Sequence, residues 1–249
     1  MPTNAGKIFV AEAIGTFTLI FIGVLAIYSN GLAQPPNVAN LAAIGLAHGL
    51  AIGVSIASLG AISGGHFNPA VTFGFVVTGR MKPTVGLMYW VAQLVGASIA
   101  GFLALAVVGQ AGVAGGTPDL GKNVSPVLGV VVEAVLTFFL VSVIFGTAVD
   151  ERAPKSIYPL AIGLTIALDI MAGGPITGAA MNPARTFGSA IASGHWDNHW
   201  VYWVGPLIGG AVGACVHHFF LLERSPSLQT ATRGGPAPSE ERGEAIAGG

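Results

Sequence analysis

The chain contains six apolar runs of about the length that a helix needs to cross a lipid bilayer. They extend over residues 8–28, 41–62, 84–108, 124–148, 157–172 and 200–222. Spanning about 30 Å of hydrocarbon takes about 20 mostly apolar residues. Only 8% of the residues are charged, against roughly 25% in an average soluble domain. The sequence therefore excludes a water-soluble globule and predicts an all-α membrane protein with six transmembrane helices.

Two shorter apolar segments, residues 68–78 and 182–192, each begin with Asn-Pro-Ala. Asn is a favoured helix N-cap and Pro is favoured at the first helical position, so both segments predict helices that extend through about half a membrane. Non-helical backbone leading into such a half-helix is tolerated at membrane depth only where it is buried in protein or lines a water-filled cavity. The two segments therefore indicate a pore or a binding site.

The first half of the chain is repeated in the second half. Four segments match in the same order, among them Glu12-Ala-Ile-Gly-Thr-Phe and Glu133-Ala-Val-Leu-Thr-Phe. Each copy, residues 7–110 and 124–222, holds three spans and one half-helix. Because three is odd, the second copy enters the membrane from the opposite side, and the two re-entrant half-helices of this inverted repeat meet near the midplane. We expect residues 1–222 to form a single channel domain.

The few charged residues indicate which partners the chain can bind and how it is oriented in the membrane. A net charge of -1 leaves no basic face to neutralise a nucleic-acid backbone, so nucleic acid is excluded as a partner. On one side of the predicted topology lie Lys7, Arg80, Lys82, Arg152, Lys155 and Arg224, and on the other side Lys122. The positive-inside rule then places both termini in the cytoplasm, where the polar residues 223–249 predict a disordered tail. We expect the plasma membrane, or a bacterial inner membrane, in preference to a vacuolar membrane.

The half-helices bring chemistry to the membrane midplane. Their N-termini carry positive dipole ends, each worth about half a charge, which oppose cations and hydrated protons. The amides of Asn68 and Asn182 can cap their own helices and still offer N–H donors to a lumen, where one water oxygen can accept both. Arg185 follows the second motif, and a charge at membrane depth costs at least ~2.5–3.5 kcal/mol. Such a residue is a candidate donor to neutral solutes and a barrier to cations.

These segments resemble the aquaporin, or major intrinsic protein, family. The motifs that carry the resemblance are Ser63-Gly-Gly-His-Phe-Asn-Pro-Ala-Val71, with Asn68, Pro69 and Ala70, and Thr177-Gly-Ala-Ala-Met-Asn-Pro-Ala-Arg185, with Asn182, Pro183 and Ala184. The resemblance covers the chain except its tail. It implies an aquaporin-like fold, a homotetramer with one pore per subunit, no cofactor, and passive conduction of water without protons or ions. Small neutral solutes such as ammonia are further candidate permeants.

The resemblance also implies a narrow filter in which Arg185 is joined by His48, Ile170 and Ala179. This set departs from the Phe, His, Cys and Arg of strict water channels and is similar to that of plant tonoplast intrinsic proteins. Replacing a ring by Ile and offering Ala opposite should widen the aperture. Backbone carbonyls are expected to line the pore as acceptors at Gly64, Gly65, His66, Gly178, Ala179 and Ala180.

Two alternative functions stay open at this stage. Glycerol facilitators share the same motifs but usually carry Asp after the filter Arg, where this chain has Thr186. Glu12 and Glu133 lie within spans, and buried carboxylates are typical of proton-coupled transporters. The alternative role, which the family resemblance favours, is that each Glu accepts hydrogen bonds from the backbone of its own repeat's re-entrant loop. No enzymatic motif is present, so we expect a channel and not an enzyme.

Four further polar residues lie outside these motifs. Asp169 precedes Ile170, and its side chain could face His48, a neighbouring subunit or solvent. His195 and His199 flank Asp197 outside the membrane; these types of residue can form a weak metal site, but we expect a solvated loop and assign no metal there.

Overall fold

The computed structural model describes residues 1–33 and 40–222, so the predicted disordered tail at 223–249 lies outside the described residues. Within that part of the chain there are eight α-helices and no strand. The helices are α1 (Ala5–Ala33), α2 (Leu41–Ser63), α3 (Pro69–Val77), α4 (Pro83–Gly115), α5 (Pro126–Ile144), α6 (Tyr158–Thr177), α7 (Pro183–Ser193) and α8 (Val201–Val216), with π-helical turns at Phe145–Val149 and His217–Leu221.

Six of these helices are long and apolar enough to span a membrane, which confirms the predicted number. The other two, α3 and α7, have 9 and 11 residues. At about 1.5 Å per residue each reaches roughly halfway through the hydrocarbon. Both begin after an Asn N-cap and at a Pro in the first turn, as the Asn-Pro-Ala motif predicts.

Three helices extend at least five residues past their predicted ends: α1, which ends at residue 33 and not 28, α4 and α6. In the last two, the error involves glycine. The fifth run was expected to end at residue 172, but α6 continues through Pro175 because its left-handed cap is Gly178, whose N–H donates to the Gly174 carbonyl at 2.9 Å. The third run was expected to end at residue 108, but α4 resumes after Gly109, which has a φ of 72°. Glycine adopts this conformation at little cost, so it allows a local break without ending the element.

The helices pack as an inverted repeat. In the first copy α1 contacts α2 and α4, and in the second copy α5 contacts α6 and α8 in the same way. Each half-helix packs on the last span of the other copy, α3 on α8 and α7 on α4. The two copies also join where α2 crosses α6. Neither copy therefore encloses its own half-helix, and the fold requires both.

Small residues permit these crossings. A β-carbon on Gly96 would overlap the carbonyl of Ala13 where α4 meets α1, and one on Gly209 would overlap Ala134 at the equivalent contact of α8 with α5. At the α2–α6 crossing, a β-carbon on Gly163 would overlap the backbone of Gly49. Helices in lipid associate largely through close packing of this kind. Lipid tails are as apolar as the helix surface, so no hydrophobic effect drives the helices together.

We expect Gly163→Ala to destabilise the fold by about 1–3 kcal/mol, because the added methyl meets backbone that cannot rotate away. The thermal melting temperature of the purified protein in detergent measures this effect. Gly31→Ala is the matched control, since a β-carbon at Gly31 meets no atom within 4 Å. Equal melting temperatures for both variants would show that the α2–α6 crossing tolerates expansion.

Candidate functional site

The two Asn-Pro-Ala motifs meet through a reciprocal pair of hydrogen bonds. Asn68 Nδ2 donates to the carbonyl of Met181 at 2.9 Å, and Asn182 Nδ2 donates to the carbonyl of Phe67 at 2.9 Å. Each acceptor immediately precedes the other asparagine in the chain. Each Oδ1 meanwhile caps its own helix, accepting from Ala70 N in α3 and from Ala184 N in α7. An amide has two N–H groups, so one donor on each asparagine remains for the lumen.

Glu12 holds the first re-entrant loop. Its Oε1 accepts from Ser63 Oγ at 2.7 Å and from His66 N at 3.0 Å. Its Oε2 accepts from Phe67 N at 2.7 Å and from Gln93 Nε2 at 2.8 Å. Both oxygens of this fully buried carboxylate are thus engaged by donors of the loop and of α4. These four hydrogen bonds are those expected of a carboxylate that supports the loop. No contact in the described part of the protein links Glu12 to a path along which protons could move.

Glu133 holds the second loop in the equivalent way. Its Oε1 accepts from Thr177 Oγ1 at 2.7 Å and from Ala180 N at 2.9 Å, and its Oε2 accepts from Met181 N at 2.7 Å. Tyr202 also supports this loop, because its hydroxyl donates to the carbonyl of Thr177 at 2.8 Å. In the first loop Tyr89 donates to the carbonyl of Ser63 at 2.6 Å. The two copies of the sequence repeat therefore make equivalent hydrogen bonds, from a glutamate and a tyrosine to the re-entrant loop.

The loops so held have an unusual backbone. Three residues other than glycine adopt a positive φ there, namely Phe67 at 47°, Ala179 at 45° and Met181 at 52°. Left-handed conformations of such residues cost about 1–2 kcal/mol each and persist only where the surroundings impose them. The glutamate hydrogen bonds supply that constraint. Among the described residues, no donor reaches the carbonyl oxygens of Gly64, Gly65, His66, Gly178, Ala179 and Ala180.

A narrow cavity of about 60 Å³ follows this backbone through the middle of the protein. Its lining includes both asparagines and apolar side chains of α2, α5 and α6, such as Ile56, Leu140 and Ile166. A second, wider cavity of about 300 Å³ lies on the side of the α4–α5 loop. Three residues line both cavities: His48, Ile170 and Arg185. They therefore stand at the boundary between the two.

Three of the four residues that the family resemblance implied as a filter, His48, Ile170 and Arg185, stand at this boundary. His48 Nδ1 is 2.8 Å from the carbonyl of Ile44, and His48 Nε2 is 3.4 Å from an Nη atom of Arg185. Ala179 lines the narrow cavity beside them. The second guanidinium nitrogen, Nη1, is buried and has no partner within the described chain, so its N–H groups can serve a permeating acceptor.

Several supporting residues had no role assigned from sequence. Gly23 on α1 makes room for His48, because a β-carbon there would overlap its imidazole. Gln93 bridges Glu12 and Thr72, at 3.1 Å from Thr72 Oγ1. The Tyr89 and Tyr202 segments are visibly repeated in the sequence, and that repetition was the signal that could have marked their hydroxyls as a matched pair. Gly23 and Gln93 carry no such signal.

The contacts of Asp169 and of the histidines after α7 narrow the alternatives that the sequence leaves open. Asp169 is 1% exposed, so it does not face solvent, and its Oδ2 has no partner among the described residues. Both ring nitrogens of His48 are already engaged, so no hydrogen bond joins it to Asp169. His199 accepts from Trp203 Nε1 at 3.1 Å, whereas His195 turns to Asp119 at 3.0 Å. His195 and His199 therefore do not act together.

A membrane protein with paired half-helices around a central narrow cavity has the architecture of a channel. The model of the family described as major intrinsic protein matches residues 2–217. Aquaporin TIP2-3 of Zea mays is 45% identical over 220 residues, covering 85% of this chain and 86% of the relative. Aquaporin TIP2-1 of Arabidopsis thaliana is 42% identical over 219 residues, with the same coverage. The chain belongs to the major intrinsic protein family, the aquaporins.

Solved structures agree with this assignment. The X-ray structure of the aquaglyceroporin from Plasmodium falciparum aligns with a TM-score of 0.78 at 25% sequence identity, covering 90% of this chain and 99% of that one. The aquaporin-like fold predicted from the sequence is thereby confirmed. Aquaporins are channels, so the protein is a channel and not an enzyme.

We expect Glu12→Gln to lower the melting temperature markedly. An amide nitrogen in place of one carboxylate oxygen would face two N–H or O–H donors of the loop, and a buried donor without an acceptor costs about 1–3 kcal/mol. Thermal unfolding in detergent measures the loss, with Glu151→Gln, an exposed residue, as the control. A variant that kept its stability and lost only proton flux would instead indicate a proton relay.

Proposed function

We propose that this aquaporin conducts water passively through the central cavity, with a filter formed by His48, Ile170, Ala179 and Arg185, while excluding protons and ions. The observation that carries the proposal is the reciprocal bonding of Asn68 and Asn182. It holds two helix N-termini and two spare amide donors against one lumen. No other arrangement among the described residues combines donors and dipoles at the meeting point of the two copies.

A water chain through such a pore meets acceptors and donors in a fixed order. The free carbonyls of the two loops, at 64–66 and 178–180, accept hydrogen bonds from water along the approach to the centre. At the centre, the asparagine amides donate to the water oxygen, so that water cannot also accept a proton from its neighbour. The result is a water column whose polarity reverses at the midplane. Protons therefore cannot hop along it.

Ions are opposed by three features. Two half-helix dipoles point their positive ends at the centre, and Arg185 adds a fixed positive charge at the filter. The apolar wall of α2, α5 and α6 offers no replacement for the hydration shell of an anion or a cation. A neutral molecule makes only a few hydrogen bonds with water, so its dehydration on entering the pore costs much less free energy.

The filter composition bears on which neutral molecules pass. Ile170 and Ala179 contribute no polar group, and His48 is held by Ile44 and Arg185. We propose water as the main permeant, with ammonia as a second one that the Ile and Ala positions leave room for. Glycerol is less supported, since curated relatives at 42–45% identity are named TIP aquaporins.

Assembly and membrane remain proposals of the same kind. We propose a homotetramer with one pore per subunit, as the family resemblance implies. Both termini of each subunit lie on the cytoplasmic side of the membrane in this proposal. The relatives named TIP, a label of tonoplast proteins, disfavour the plasma-membrane preference stated from sequence. Crosslinking of the purified protein and fractionation of the source cells' membranes test these two points.

Stopped-flow light scattering on proteoliposomes is the test of the water channel. After an osmotic shock, we expect shrinkage much faster than in empty liposomes, with a weak temperature dependence, because water crosses without leaving its hydrogen-bonded column. The rate should not change with membrane potential or a proton gradient. Shrinkage at the rate of empty liposomes, from protein shown to be folded, would contradict the proposal.

His48→Phe tests the filter assignment. The larger ring, lacking a hydrogen bond to Ile44, should narrow the aperture and reduce ammonia flux more than water flux. An internal pH dye reports ammonia and light scattering reports water, on the same vesicles. His218→Phe, in the π-helical turn that follows α8, is the matched control. Equal loss of both fluxes would exclude His48 as a selectivity residue.

A further inference from the structure

Two loops that are far apart in the chain converge beside the wider cavity. One loop joins α4 to α5 and the other joins α7 to α8, and the inverted topology places both on the same side of the membrane. Asp119 of the first loop meets His195 and Asp197 of the second. One ligand atom from each of the three lies within 4.8 Å of the others. His195 Nε2 and Asp119 Oδ2 are 3.0 Å apart.

We propose that Asp119, His195 and Asp197 form a binding site for a divalent first-row transition metal such as Zn²⁺, and that occupation of this site lowers water permeability. One imidazole and two carboxylates are ligands that such metals accept, leaving a further position for water. The site goes beyond the proposed conduction of water, which does not need it.

The distances suit a small cation. A tetrahedral zinc with bonds of about 2.0–2.1 Å separates its ligand atoms by roughly 3.3 Å. The pair Asp119 and His195 already has nearly that separation, at 3.0 Å. Asp197 is exposed, so a rotamer change can bring its carboxylate closer. The metal would take the place of the proton that now joins His195 to Asp119.

Charge and access also favour a cation. Two carboxylates in close proximity repel each other, and a positive charge between them removes that repulsion. In the described chain no Lys or Arg forms an ion pair with either carboxylate. The side chains of His195 and Asp119 are 28% and 39% exposed, so an ion can reach them from water. Asp119 Oδ1 accepts from Leu120 N at 2.7 Å, which orients the carboxylate.

The loop that carries Asp119 rests directly on the filter loop. Asp119 itself lines the wider cavity together with His48 and Arg185. A β-carbon on Gly178 would lie 2.9 Å from Pro118 Cα, and Gly121 N donates to the carbonyl of Ile176 at 2.8 Å. A metal that ties Asp119 to the second loop would therefore fix both loops at the edge of the cavity and place a hydrated ion beside the path to the filter.

Binding is measured first, on the full-length protein in detergent after removal of metals with EDTA. Zn²⁺ is titrated in competition with a chromophoric chelator. We expect one Zn²⁺ per chain, and an affinity at least about tenfold lower in His195→Gln and in Asp197→Asn. Asp197 makes no hydrogen bond within the described residues, so its variant tests ligation without disturbing the fold. His218→Gln, on the opposite side of the membrane, is the control and should bind like the wild type.

Water permeability is then measured on proteoliposomes with Zn²⁺ on both sides, relative to the same vesicles in EDTA. We expect this ratio to fall for the wild type and for His218→Gln, and to stay constant for Asp197→Asn. Absence of stoichiometric binding, or binding that survives in Asp197→Asn and His195→Gln, would overturn the site. Binding without a change in the ratio would overturn the effect on permeability. The rate in EDTA reports the channel itself, so failure of the channel is seen separately.

Discussion

The whole structure depends on satisfying the backbone of two loops that enter the membrane without being helical. An unpaired N–H group in hydrocarbon costs several kcal/mol, so such a loop cannot exist in lipid without internal partners. Glu12 and Glu133 supply these partners. Burial of a carboxylate is itself costly, but each one accepts three or four hydrogen bonds, and a fully satisfied polar network can be retained where a partly satisfied one cannot. The residues that look most like a proton path are thus the supports of the pore.

From this support follow the properties of the pore. Once the N–H groups of the loops are turned towards the glutamates, the carbonyls are left for the lumen. Strain at Phe67, Ala179 and Met181 is part of the same arrangement. The asparagines then close the structure across the pseudo-symmetry axis, each bonded to the backbone of the other copy. One set of hydrogen bonds thereby fixes the positions of the half-helix N-termini, the amide donors and the acceptor carbonyls relative to one another.

The two copies differ at the proposed filter. Arg185 stands in the second half-helix, and the corresponding position of the first half-helix is Val71. His48 reaches Arg185 from α2, and Gly23 leaves space for its ring. The loops on this side differ too, since Asp119 lies in the α4–α5 loop, which connects the two copies and has no counterpart in the repeat, and its carboxylate contacts His195 of the α7–α8 loop. A channel built from two similar halves therefore carries the proposed filter and the proposed metal site at one face only.

The sequence by itself determined the six spans, the two half-helices and their inverted arrangement. These features are local or periodic: apolar length, the Asn-Pro cap, the order of repeated segments and an odd number of spans in each copy. Glu12 and Glu133 could be proposed as supports because both occupied equivalent places in the repeat. The ends of α4 and α6 were missed, because several glycines compete as caps and packing decides among them.

Only the tertiary structure decided the contacts that make these parts a pore. Asn68 meets Met181, and Arg185 meets His48, across more than a hundred residues of chain. Glycine stripes reveal that helices approach closely but not which backbone each glycine faces. Asp119 and His195 are likewise joined only by the folding of two loops. Distances of this kind depend on how the helices pack together, since a shift of one turn at a helix crossing would separate the atoms that this crossing brings together.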